Sequence, residues 1–588
     1  MTKNDFEILD EIRKNKIRDY RSMSSVCDVS IGTLSSHMKM LRDQGFINET
    51  EITAKGIKEL EPYKVTNAII MAAGMSSRFV PSSLEKPKGL MVVKGEILIE
   101  RQIEQLKAAG INDITLVLGY KKESFFYLQD KYDVKIIING EFHLKNNTET
   151  LYLAREELKN TYICSSDDYF VKNPFELYVY CSYYASVHVT EKTNEWYMQS
   201  DSLHRITKVV KSGEEGDIML GHVYWNRDFS KAMSDFLVKH HDIGDYDQVL
   251  WEQILLDHVK ELPPMFVKTY SDDDIFEFDS LDELRKFDYE YINHTGSKII
   301  SNIASYFKCE EKEVKNFKPI NEGLTNTSFI FEVFGKKYVY RHPGDGTEKI
   351  INRKHEMQSL ELAKKIDVDP TFVVMNPDEG WKISAFVPNI RQPNYKSFED
   401  TIRVTKVMRQ LHDKNLQVDW SFDPWAGAIE MEELILKKQP IDMSDYEELK
   451  EKVKAVYEKT IGDGVKKRFC HCDTYAPNWM LTDEKTVLID WEYAGEADPG
   501  CDLAAYIMDA MYDYDDTEKF IKCYCGSDYN DSLCFHYMAY VALVSFYWFV
   551  WAMYRESCGA VMHESLHNWY VMAKRFSNIL FDKINNKK

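Results

Sequence analysis

Three polar side chains near the C-terminus have the types and spacing that phosphoryl transfer requires. In the stretch CHCDTYAPNWMLTDEKTVLID, Asp473 and Asn478 lie five residues apart in a polar loop, and a short apolar run then ends at Asp490. This layout supplies one carboxylate for an attacking hydroxyl and two oxygen ligands for the Mg²⁺ that accompanies ATP. The sequence therefore predicts an ATP-dependent phosphotransferase site.

The order H-x-D-x-x-x-x-N followed by I-D resembles the choline kinase and aminoglycoside phosphotransferase families. The resemblance implies that Asp473 is the catalytic base or hydroxyl positioner. It also implies that Asn478 and Asp490 hold the metal and that His471 is a structural residue of the loop.

A small β-rich segment precedes this loop and agrees with the same families. NEGLTNTSF is similar to their phosphate-covering loop, where Gly323, Thr325 and Asn326 offer amides and small side chains. Arg341 in YVYRHPG occupies the position of the strand cation that contacts the phosphates, and Arg rather than Lys matches the choline kinase branch. The resemblance implies that Glu356, in the helix that follows, fixes Arg341.

A second stretch with chemical potential is AIIMAAGMSSRFVPSSLEKPKGL. A predicted strand ends in Ala72, Ala73 and Gly74, so a turn without bulky side chains lets a nucleotide approach the backbone amides. Arg78 and Lys88 then supply cations for a triphosphate.

The whole stretch resembles the nucleotidyltransferase family that couples NTPs to phosphorylated sugars or alcohols and releases pyrophosphate; the resemblance covers residues 65–289. It implies a strand-end carboxylate at Asp167, with Asp168 as the alternative, and a second carboxylate at Asp279. Two carboxylates suit a Mg²⁺ whose shell is completed by phosphate oxygens and waters. The reaction would be in-line attack of a phosphate oxygen on the α-phosphorus, assisted by Lys88 and the metal.

The acceptor side of this domain is less well defined by sequence. NNTETLYLAREEL resembles the acceptor-side loop of phosphocholine cytidylyltransferases and their sugar-nucleotide relatives. Four aromatic residues would either cage a quaternary ammonium or belong to the core: Trp196, Tyr197, Tyr224 and Trp225.

The run LVSFYWFVWAMYRE is apolar enough for a membrane helix, a core helix or the wall of a binding site. It is solitary and carries aromatic residues in its middle, so membrane insertion is not expected. Trp548 and Trp551 share one helical face that Tyr554 continues, and aromatic faces recognise a trimethylammonium, which cannot donate hydrogen bonds. Choline kinases carry a similar W-x-x-W pair, and that resemblance places Asp509 and Tyr514 toward the choline. Ordinary core packing of the tryptophans is the alternative.

The N-terminal segment resembles a winged helix-turn-helix of bacterial regulators, with Ser30–Asp43 as its recognition helix. Contact with DNA would use five polar side chains: Thr33, Ser35, Ser36, His37 and Lys39. The alternative is a retained packing or dimerisation module.

At 588 residues the chain is too long for one hydrophobic core. Its net charge of −21 argues against a protein whose main role is to hold nucleic acid. Eleven cysteines without regular pairing spacings, and a start without a secretory signal, predict a reduced cytoplasmic protein. We predict a winged helix at 1–63, a Rossmann-like α/β nucleotidyltransferase at 64–294 and a bilobal, protein-kinase-like α+β phosphotransferase at 295–588.

The combined resemblances imply a bifunctional enzyme with Mg²⁺ as cofactor. It would phosphorylate choline with ATP and couple phosphocholine to CTP, giving CDP-choline and pyrophosphate for the decoration of surface glycans. One alternative is a sugar or polyol kinase joined to a sugar-1-phosphate nucleotidyltransferase. Another is a transcriptional regulator of a choline pathway whose enzyme-like domains act as sensors.

Overall fold

The computed structural model describes residues 1–192, 194–241, 243–320, 327–344, 351–559 and 562–585. The chain divides into two compact units, Met1–Pro319 and Ile320–Lys588. The first unit contains the N-terminal and α/β regions, and the second contains the kinase-like region.

The N-terminal region folds as a winged helix whose helices are each started by a capping side chain. The helices are α1 (Lys3–Asn15), α2 (Tyr20–Val26), α3 (Ile31–Asp43) and α4 (Ala54–Leu60). Their caps, which accept hydrogen bonds from first-turn amides, are Thr2, Asp19, Ser30 and Thr53. The wing is a short hairpin closed by a bridge between Ile47 and Ile52. Gly56 is required beside it, because a Cβ there would lie 2.2 Å from the carbonyl oxygen of Phe46.

The winged helix is packed onto the α/β region through α1. The ring of Phe6 lies 5.5 Å from that of Tyr180. The ammonium of Lys14 lies 2.9 Å from Glu176, and Lys268 binds the other oxygen of Glu176 at 2.8 Å. Burial raises the pKa of Glu176, but the two lysines outweigh it and lower the pKa to about 2. One carboxylate therefore joins the winged helix to the α/β region.

A nine-stranded sheet forms the centre of the α/β region. Seven of its strands are ordered β10-β9-β11-β6-β1-β4-β5; of the other two, β8 pairs with β11, and β12 pairs with β8. The strands of this region are β1 (Asn67–Ala72), β2 (Val92–Val93), β3 (Glu96–Ile97), β4 (Ile114–Leu118), β5 (Lys135–Ile138), β6 (Thr161–Ser165), β7 (Asp168–Phe170), β8 (Tyr183–Val189), β9 (Tyr197–Ser200), β10 (Ile206–Val210), β11 (Gly216–Trp225), β12 (Phe266–Tyr270) and β13 (Ile275–Glu277).

The sheet is mixed, with a parallel part and an antiparallel part. Strands β6, β1, β4 and β5 are parallel, and β11 then pairs with β6 in the antiparallel sense. Strands β8 to β11 follow one another without intervening helices, so they lack the crossovers that parallel neighbours need. The helices of the region are α5 (Ser82–Glu85), α6 (Leu98–Ala108), α7 (Tyr127–Tyr132), α8 (Asn147–Leu153), α9 (Arg227–His241), α10 (Glu252–His258), α11 (Leu281–Phe287) and α12 (Glu290–Asn293).

The segment that follows belongs to the first unit by its packing. Helix α13 (Lys298–Phe307) lies there, and the amide of Ile299 donates to Glu85 at 3.2 Å. Strand β14 (Lys315–Ile320) contains the division between the units. The compact units thus divide later than the boundary at 294/295, which stays a prediction for the domains.

The second unit has a small sheet followed by a helical lobe, the arrangement predicted from sequence. Four antiparallel strands of the sheet are ordered β15-β16-β18-β17. The strands of the unit are β15 (Thr327–Val333), β16 (Lys336–His342), β17 (Phe372–Met375), β18 (Lys382–Ala385), β19 (Arg468–Cys470), β20 (Trp479–Leu481), β21 (Thr486–Leu488) and β22 (Gly495–Ala497). Its helices are α14 (Arg353–Lys365), α15 (Phe398–Asp413), α16 (Pro424–Leu436), α17 (Tyr446–Glu458), α18 (Gly500–Asp509), α19 (Tyr514–Cys525), α20 (Asp531–Ser557) and α21 (His563–Asn585).

Helix α20 contains the long apolar run. Among the described residues it is the one helix whose length and composition would allow it to cross a membrane, and 89% of its most apolar window is buried inside the protein. It packs against α16, α18 and α21. These contacts are those of the central helix of a folded lobe.

Candidate active sites

The turn after β1 leaves open backbone at the edge of the sheet. The carbonyl of Ala73, directly after the strand-end residue Ala72, accepts a hydrogen bond from the amide of Tyr120 at 3.0 Å. Gly74 is exposed, and a Cβ there would meet no atom within 4 Å. The turn therefore has room for a ligand beside its amides, as phosphate binding requires.

Lys88 and Asp167, two residues predicted from sequence, form a buried ion pair. The Lys88 side chain is 6% exposed, and its Nζ donates to Oδ2 of Asp167 at 2.7 Å. Burial raises the pKa of Asp167, but Lys88 outweighs it, so the pKa lies below its ordinary value. Burial alone would lower the pKa of Lys88, but Asp167 and other nearby carboxylates outweigh burial, so the pKa of Lys88 is raised. Both side chains are therefore charged at neutral pH.

Two features place Lys88 and orient Asp167. Gly89 follows Lys88, and a Cβ there would lie 2.9 Å from the Cβ of Ser166, so only glycine lets the two segments approach so closely. The hydroxyl of Ser165 donates to the other carboxylate oxygen of Asp167 at 2.6 Å.

Asp168 differs from its neighbour in charge. It is 1% exposed, and neither carboxylate oxygen has a hydrogen-bond partner among the residues that the structure describes. Burial raises the pKa of Asp168 well above its ordinary value, and Glu277 and Asp167 add to the effect. Asp167 is therefore the ionised member of the pair, which favours it over Asp168 as a metal ligand.

Glu277 was not identified from the sequence. It is aligned with Asp168 across the β7–β13 pair, and burial and Asp167 raise its pKa to about 8. The signal was in the sequence: in FEFD, Glu277 and Asp279 are two residues apart, and alternate residues of a strand share one face.

Asp279 is bound by the second predicted cation. Arg78 lies 2.8 Å from Oδ2 of Asp279, and 72% of the Arg78 side chain is exposed. An exposed pair contributes little to stability, so Arg78 can exchange this partner for a triphosphate. The carboxylates Asp167 and Asp279 both act on Lys88, and their oxygens are of the type that a divalent cation such as Mg²⁺ prefers.

The four aromatic residues of the acceptor side separate into two groups. Tyr224 and Trp225 are fully buried in the sheet, so for them the core interpretation is correct. Trp196 and Tyr197 are half-buried, and the ammonium of Lys211 already lies 5.0 Å from the centre of the Trp196 ring. The four residues therefore do not form one cage.

In the second unit, Asp473 and Asn478 contact each other in the polar loop. The side-chain nitrogen Nδ2 of Asn478 donates to the backbone carbonyl of Asp473 at 2.8 Å and to the Asp473 carboxylate at 3.2 Å. Burial raises the pKa of Asp473 well above its ordinary value, and Glu492 and Asp490 add to the effect. A carboxylate with a raised pKa is well suited to accept the proton of a hydroxyl. The Asn478 side-chain oxygen Oδ1 takes part in neither of these bonds and is of the type that binds Mg²⁺.

The backbone of this loop is held by a residue that the sequence reasoning missed. The fully buried Asp502 accepts hydrogen bonds from the amides of His471 and Cys472 at 3.1 and 2.6 Å. His471 lies 2.9 Å from the carbonyl of Ile489 through Nε2, and its Nδ1 accepts from the amide of Asp473 at 3.2 Å. His471 is therefore a structural residue of the loop.

Asp490 lies in a cluster of cations and carboxylates at the small sheet. Arg341 contacts Oδ1 of Asp490 at 2.9 Å and Glu356 at 2.7 Å, so the ion pair predicted from sequence is present. Lys382, not identified from sequence, contacts the same oxygen of Asp490 at 3.3 Å. Burial raises the pKa of Asp490, but Lys382 and Arg341 outweigh it and lower the pKa to about 2. Both of these cation contacts are to Oδ1 of Asp490. The predicted loop residues Gly323, Thr325 and Asn326 lie outside the described residues.

The tryptophans of α20 are part of a larger aromatic cluster. The rings of Trp548 and Trp551 are 5.3 Å apart, and both lie against Trp569 of α21. Tyr493 lies 5.3 Å from Trp548 and is close enough to Asp473 for that carboxylate to affect its pKa. The indole nitrogens of both α20 tryptophans are buried without a hydrogen-bond partner among the described residues. The cluster therefore borders the catalytic loop rather than only the interior of the lobe.

The other predicted choline-side residues lie in three different places. Tyr554 is half-buried one turn beyond Trp551, with Lys438 5.4 Å from its ring centre. Asp509 accepts the amide of Ala476 at 2.9 Å and the hydroxyl of Tyr395, so it supports the catalytic loop.

Tyr514, which the resemblance places toward the choline, contacts Lys583 in the structure. Its hydroxyl accepts a hydrogen bond from Lys583 at 2.5 Å, and the same ammonium lies 4.2 Å from its ring centre. Met511 has a left-handed backbone and Asp513 caps α19, so Tyr514 is the first residue of that helix. The nearby Tyr512 donates its hydroxyl to the backbone of Tyr395. The placement of Tyr514 toward the choline stays a prediction.

The predicted recognition helix, α3, is partly free. Ser35, Ser36 and Lys39 are exposed, and Thr33 is half-buried in the capping turn. His37 differs, because its Nδ1 lies 2.5 Å from a carboxylate oxygen of Asp5 on α1. Four of the five predicted side chains therefore remain accessible, and His37 is engaged within the domain.

These sites define two classes of transferase in one chain: a nucleotidyltransferase in the first unit and a kinase-like phosphotransferase in the second. Three family models match in the same order: winged helix-turn-helix DNA-binding over residues 1–48, MobA-like NTP transferase domain over 68–174, and choline/ethanolamine kinase over 317–530.

Individual relatives match nearly their full lengths. The choline-phosphate cytidylyltransferase of Streptococcus pneumoniae is 35% identical over 221 residues, which cover 38% of this chain and 96% of that protein. The 2-aminoethylphosphonate cytidylyltransferase of Lancefieldella rimae is 31% identical over 231 residues, covering 39% and 94%. The crystal structure of the choline kinase LicA from Streptococcus pneumoniae is 23% identical, covers 49% of this chain and 99% of its own, and has a TM-score of 0.43.

Through its central region the chain belongs to the family of the choline-phosphate cytidylyltransferases. It also carries a choline/ethanolamine kinase domain behind that region and a winged helix before it. The chain is therefore an enzyme with two transferase domains, a nucleotidyltransferase and a phosphotransferase that acts on an alcohol.

Proposed function

We propose that the two domains catalyse consecutive reactions. The second unit would transfer a phosphoryl group from ATP to choline, and the first would couple phosphocholine to CTP, giving CDP-choline and pyrophosphate. The observation that carries the proposal is the aromatic cluster of Trp548, Trp551 and Tyr493 beside Asp473, because an alcohol with a quaternary ammonium needs aromatic faces next to its reacting hydroxyl. With ATP and CTP as co-substrates, both reactions would take place in the cytoplasm.

In the phosphotransfer step, Asp473 would accept the proton of the choline hydroxyl and orient its oxygen toward the γ-phosphorus. Arg341 and Lys382 would bind phosphate oxygens, while Glu356 keeps Arg341 in position. Asn478 and Asp490 would hold Mg²⁺, which supplies charge neutralisation at the phosphates. The aromatic cluster would hold the trimethylammonium and exclude water from it.

In the nucleotidyl transfer step, the open turn around Gly74 would bind the triphosphate through backbone amides, with Arg78 beside it. Lys88 would stabilise the charge that develops on the α-phosphate as an oxygen of phosphocholine attacks. Asp167 and Asp279 would hold Mg²⁺, which supplies Lewis-acid activation of the phosphate.

The substrate assignment is supported by the chemistry that two relatives share. The two cytidylyltransferase relatives are named for choline phosphate and 2-aminoethylphosphonate, and both compounds carry a cationic nitrogen. Two carbons separate this nitrogen from the ester oxygen in choline phosphate and from the phosphorus in 2-aminoethylphosphonate. A sugar or polyol has no such cation and would not need an aromatic cluster. We therefore favour choline over a sugar, and we propose CDP-choline as the donor of phosphocholine to surface glycans.

The test is incubation with choline, ATP, CTP and Mg²⁺, following ADP and pyrophosphate separately. Pyrophosphate release should depend on choline and ATP, or on added phosphocholine. Asp473→Asn should abolish ADP release and leave pyrophosphate release from supplied phosphocholine intact. Turnover of sugars but not of choline by the wild-type protein would overturn the assignment.

A second function, DNA recognition, is favoured by the free face of α3. α1 is occupied by the α/β region, whereas Ser35, Ser36 and Lys39 are exposed. Selection of bound duplexes from a random pool should recover one preferred sequence. Lys39→Ala should weaken binding to that sequence and reduce the slope of log affinity against log salt concentration by about one. An empty selection at low salt would show that the domain serves only for packing.

A further inference from the structure

Helix α6 carries a polar side chain on its apolar face. Ile99, Ile103 and Leu106 are buried in the core of the α/β region. Gln102 lies among them at helical spacing, and only 1% of its surface is exposed. A buried amide is costly to the fold unless its polar atoms are hydrogen-bonded. The contacts of Gln102 therefore indicate its role.

The side-chain amide of Gln102 donates two hydrogen bonds to the turn that carries Asp167. Nε2 lies 2.7 Å from the backbone carbonyl oxygen of Ser165 and 2.9 Å from that of Asp168. These two residues stand on either side of Asp167, at the end of β6 and the start of β7. Oε1 of Gln102 is buried without a hydrogen-bond partner among the described residues, so the donor end orients the side chain. Gln102 thus joins the two ends of the turn.

Side chains of α6 take the place of a strand along one edge of β7. Among the described strands β7 pairs only with β13. On the edge that faces α6, Arg101 and Gln105 donate to the backbone carbonyl of Phe170 at 2.8 and 3.0 Å. Gln102 extends this row of donors to Asp168, because the carbonyls of alternate strand residues point to the same side.

We propose that Gln102 is a positioning residue for nucleotidyl transfer, whose two hydrogen bonds fix the turn so that the Asp167 carboxylate can hold Mg²⁺. One methylene separates an aspartate carboxylate from the backbone, so its oxygens move with the turn. Lys88 and Ser165 orient the carboxylate, whereas Gln102 sets the place of the backbone that bears it. A metal ligand needs such support from its neighbours. The inference rests on the proposed function and adds a residue that acts through Asp167.

The experiment compares Gln102→Met with the matched control Gln105→Met in the full chain. Methionine has the length of glutamine but no donor, so Gln102→Met removes both hydrogen bonds to the turn. Gln105→Met removes the same group from the same helix, but Arg101 still donates to Phe170. Two quantities are measured: the Mg²⁺ concentration that gives half-maximal pyrophosphate release from CTP and phosphocholine, and hydrogen exchange of the peptide 164–171 in the metal-free protein.

Gln102→Met should raise the half-saturating Mg²⁺ concentration by about tenfold, and saturating Mg²⁺ should restore most of the rate. Exchange of the peptide should be faster in this variant even without metal. Gln105→Met should keep the wild-type values of both quantities. The Mg²⁺ dependence of ADP release from choline, which belongs to the second unit, should be the same in all proteins.

A second substitution carries the test if Gln102→Met does not fold. Gln102→Glu keeps the shape of the side chain, and its neutral carboxyl can donate one hydrogen bond instead of two. It should shift the half-saturating Mg²⁺ concentration in the same direction by a smaller factor.

Two results would overturn the inference. Wild-type Mg²⁺ half-saturation in the folded Gln102 variants would show that the two hydrogen bonds serve only the fold. An equal shift in Gln105→Met would assign the effect to the whole strand rather than to the turn. Failure of the proposed function looks different, because the wild type would then release no pyrophosphate from CTP and phosphocholine, while hydrogen exchange would still report on the turn.

Discussion

Replacement of Lys88 by methionine should separate the catalytic from the structural role of the buried ion pair. The Lys88 and Asp167 side chains are 6% and 17% exposed, and their charged atoms are 2.7 Å apart. Removing one partner of such a pair costs about 3–5 kcal/mol, because the other charge stays buried. Loss of the cation should also slow nucleotidyl transfer by about 10²–10³-fold.

The double variant Lys88→Met/Asp167→Asn distinguishes the two effects. With both charges gone, the free energy of unfolding of the first unit should rise by at least about 2 kcal/mol over that of Lys88→Met. Nucleotidyl transfer should not recover, because neither the cation nor the ionised carboxylate is restored. Denaturant titration and pyrophosphate release measure the two quantities. Lys86→Met, an exposed lysine two residues earlier, is the control and should change neither.

The pH dependence follows from the directions of the two pKa shifts. The folded pKa of Asp167 lies below its unfolded value, so the stability that the pair contributes is present above the ordinary carboxyl pKa and is lost as pH falls through the folded pKa. The folded pKa of Lys88 lies above its unfolded value. The stability that the ion pair contributes is therefore fully present below the ordinary lysine pKa and is lost as pH rises through the folded pKa of Lys88. Lys88→Met should flatten the acid side. A double variant no more stable than Lys88→Met, or one that regains pyrophosphate release, would refute the reasoning.

Three other perturbations address different parts of the molecule. Trp548→Leu and Trp551→Leu should each raise the KM for choline in ADP release by about 5–30-fold with little change in kcat, since each removes one aromatic face for the cation; an unchanged KM would assign both residues to the core. His536 is buried between Asp498 and Asp463, whose oxygens lie 3.0 and 2.6 Å from its ring nitrogens. Burial lowers the pKa of His536, but the two carboxylates outweigh burial and raise it. The stability that the charged histidine contributes to the fold is therefore present below the ordinary histidine pKa and is lost as pH rises through the folded pKa. His536→Gln should cost about 2–3 kcal/mol in mildly acidic buffer and less at alkaline pH, whereas an equal cost across the range would contradict an ionised histidine. Lys14→Glu should lower the melting temperature of the first unit, because the new carboxylate would face Glu176. Lys3→Glu is the control, since the Lys3 side chain is 67% exposed on the same helix. Equal effects of the two substitutions would show that the Glu176 contact does not hold the winged helix.

Local patterns in the sequence predicted many elements of the sites. Asp473, Asn478 and Asp490 could be assigned because loop and strand spacing places them near each other along the chain. The capped start of α3 at Ser30 is likewise readable from neighbouring residue types. In each case the relevant contacts join residues close in sequence or belong to one motif.

Residues that act from a distance were missed. Asp502 holds the loop of Asp473 from a helix some thirty positions later, and Lys382 reaches Asp490 from 108 positions earlier. Glu277 becomes significant only because β13 pairs with β7.

The sequence by itself determined the order of the domains and the two transferase chemistries, because these depend on residue type and short spacing, and it predicted the motif residues that would carry them. Only the tertiary structure decided which carboxylates are ionised and which aromatic side chains lie beside the tryptophans of α20. Burial and charge neighbours set those properties, and both arise from contacts between segments far apart in the chain. The apolar run of α20 shows the same division: its composition allowed three interpretations, and its packing against α16, α18 and α21 together with Tyr493 placed it beside the phosphotransfer site.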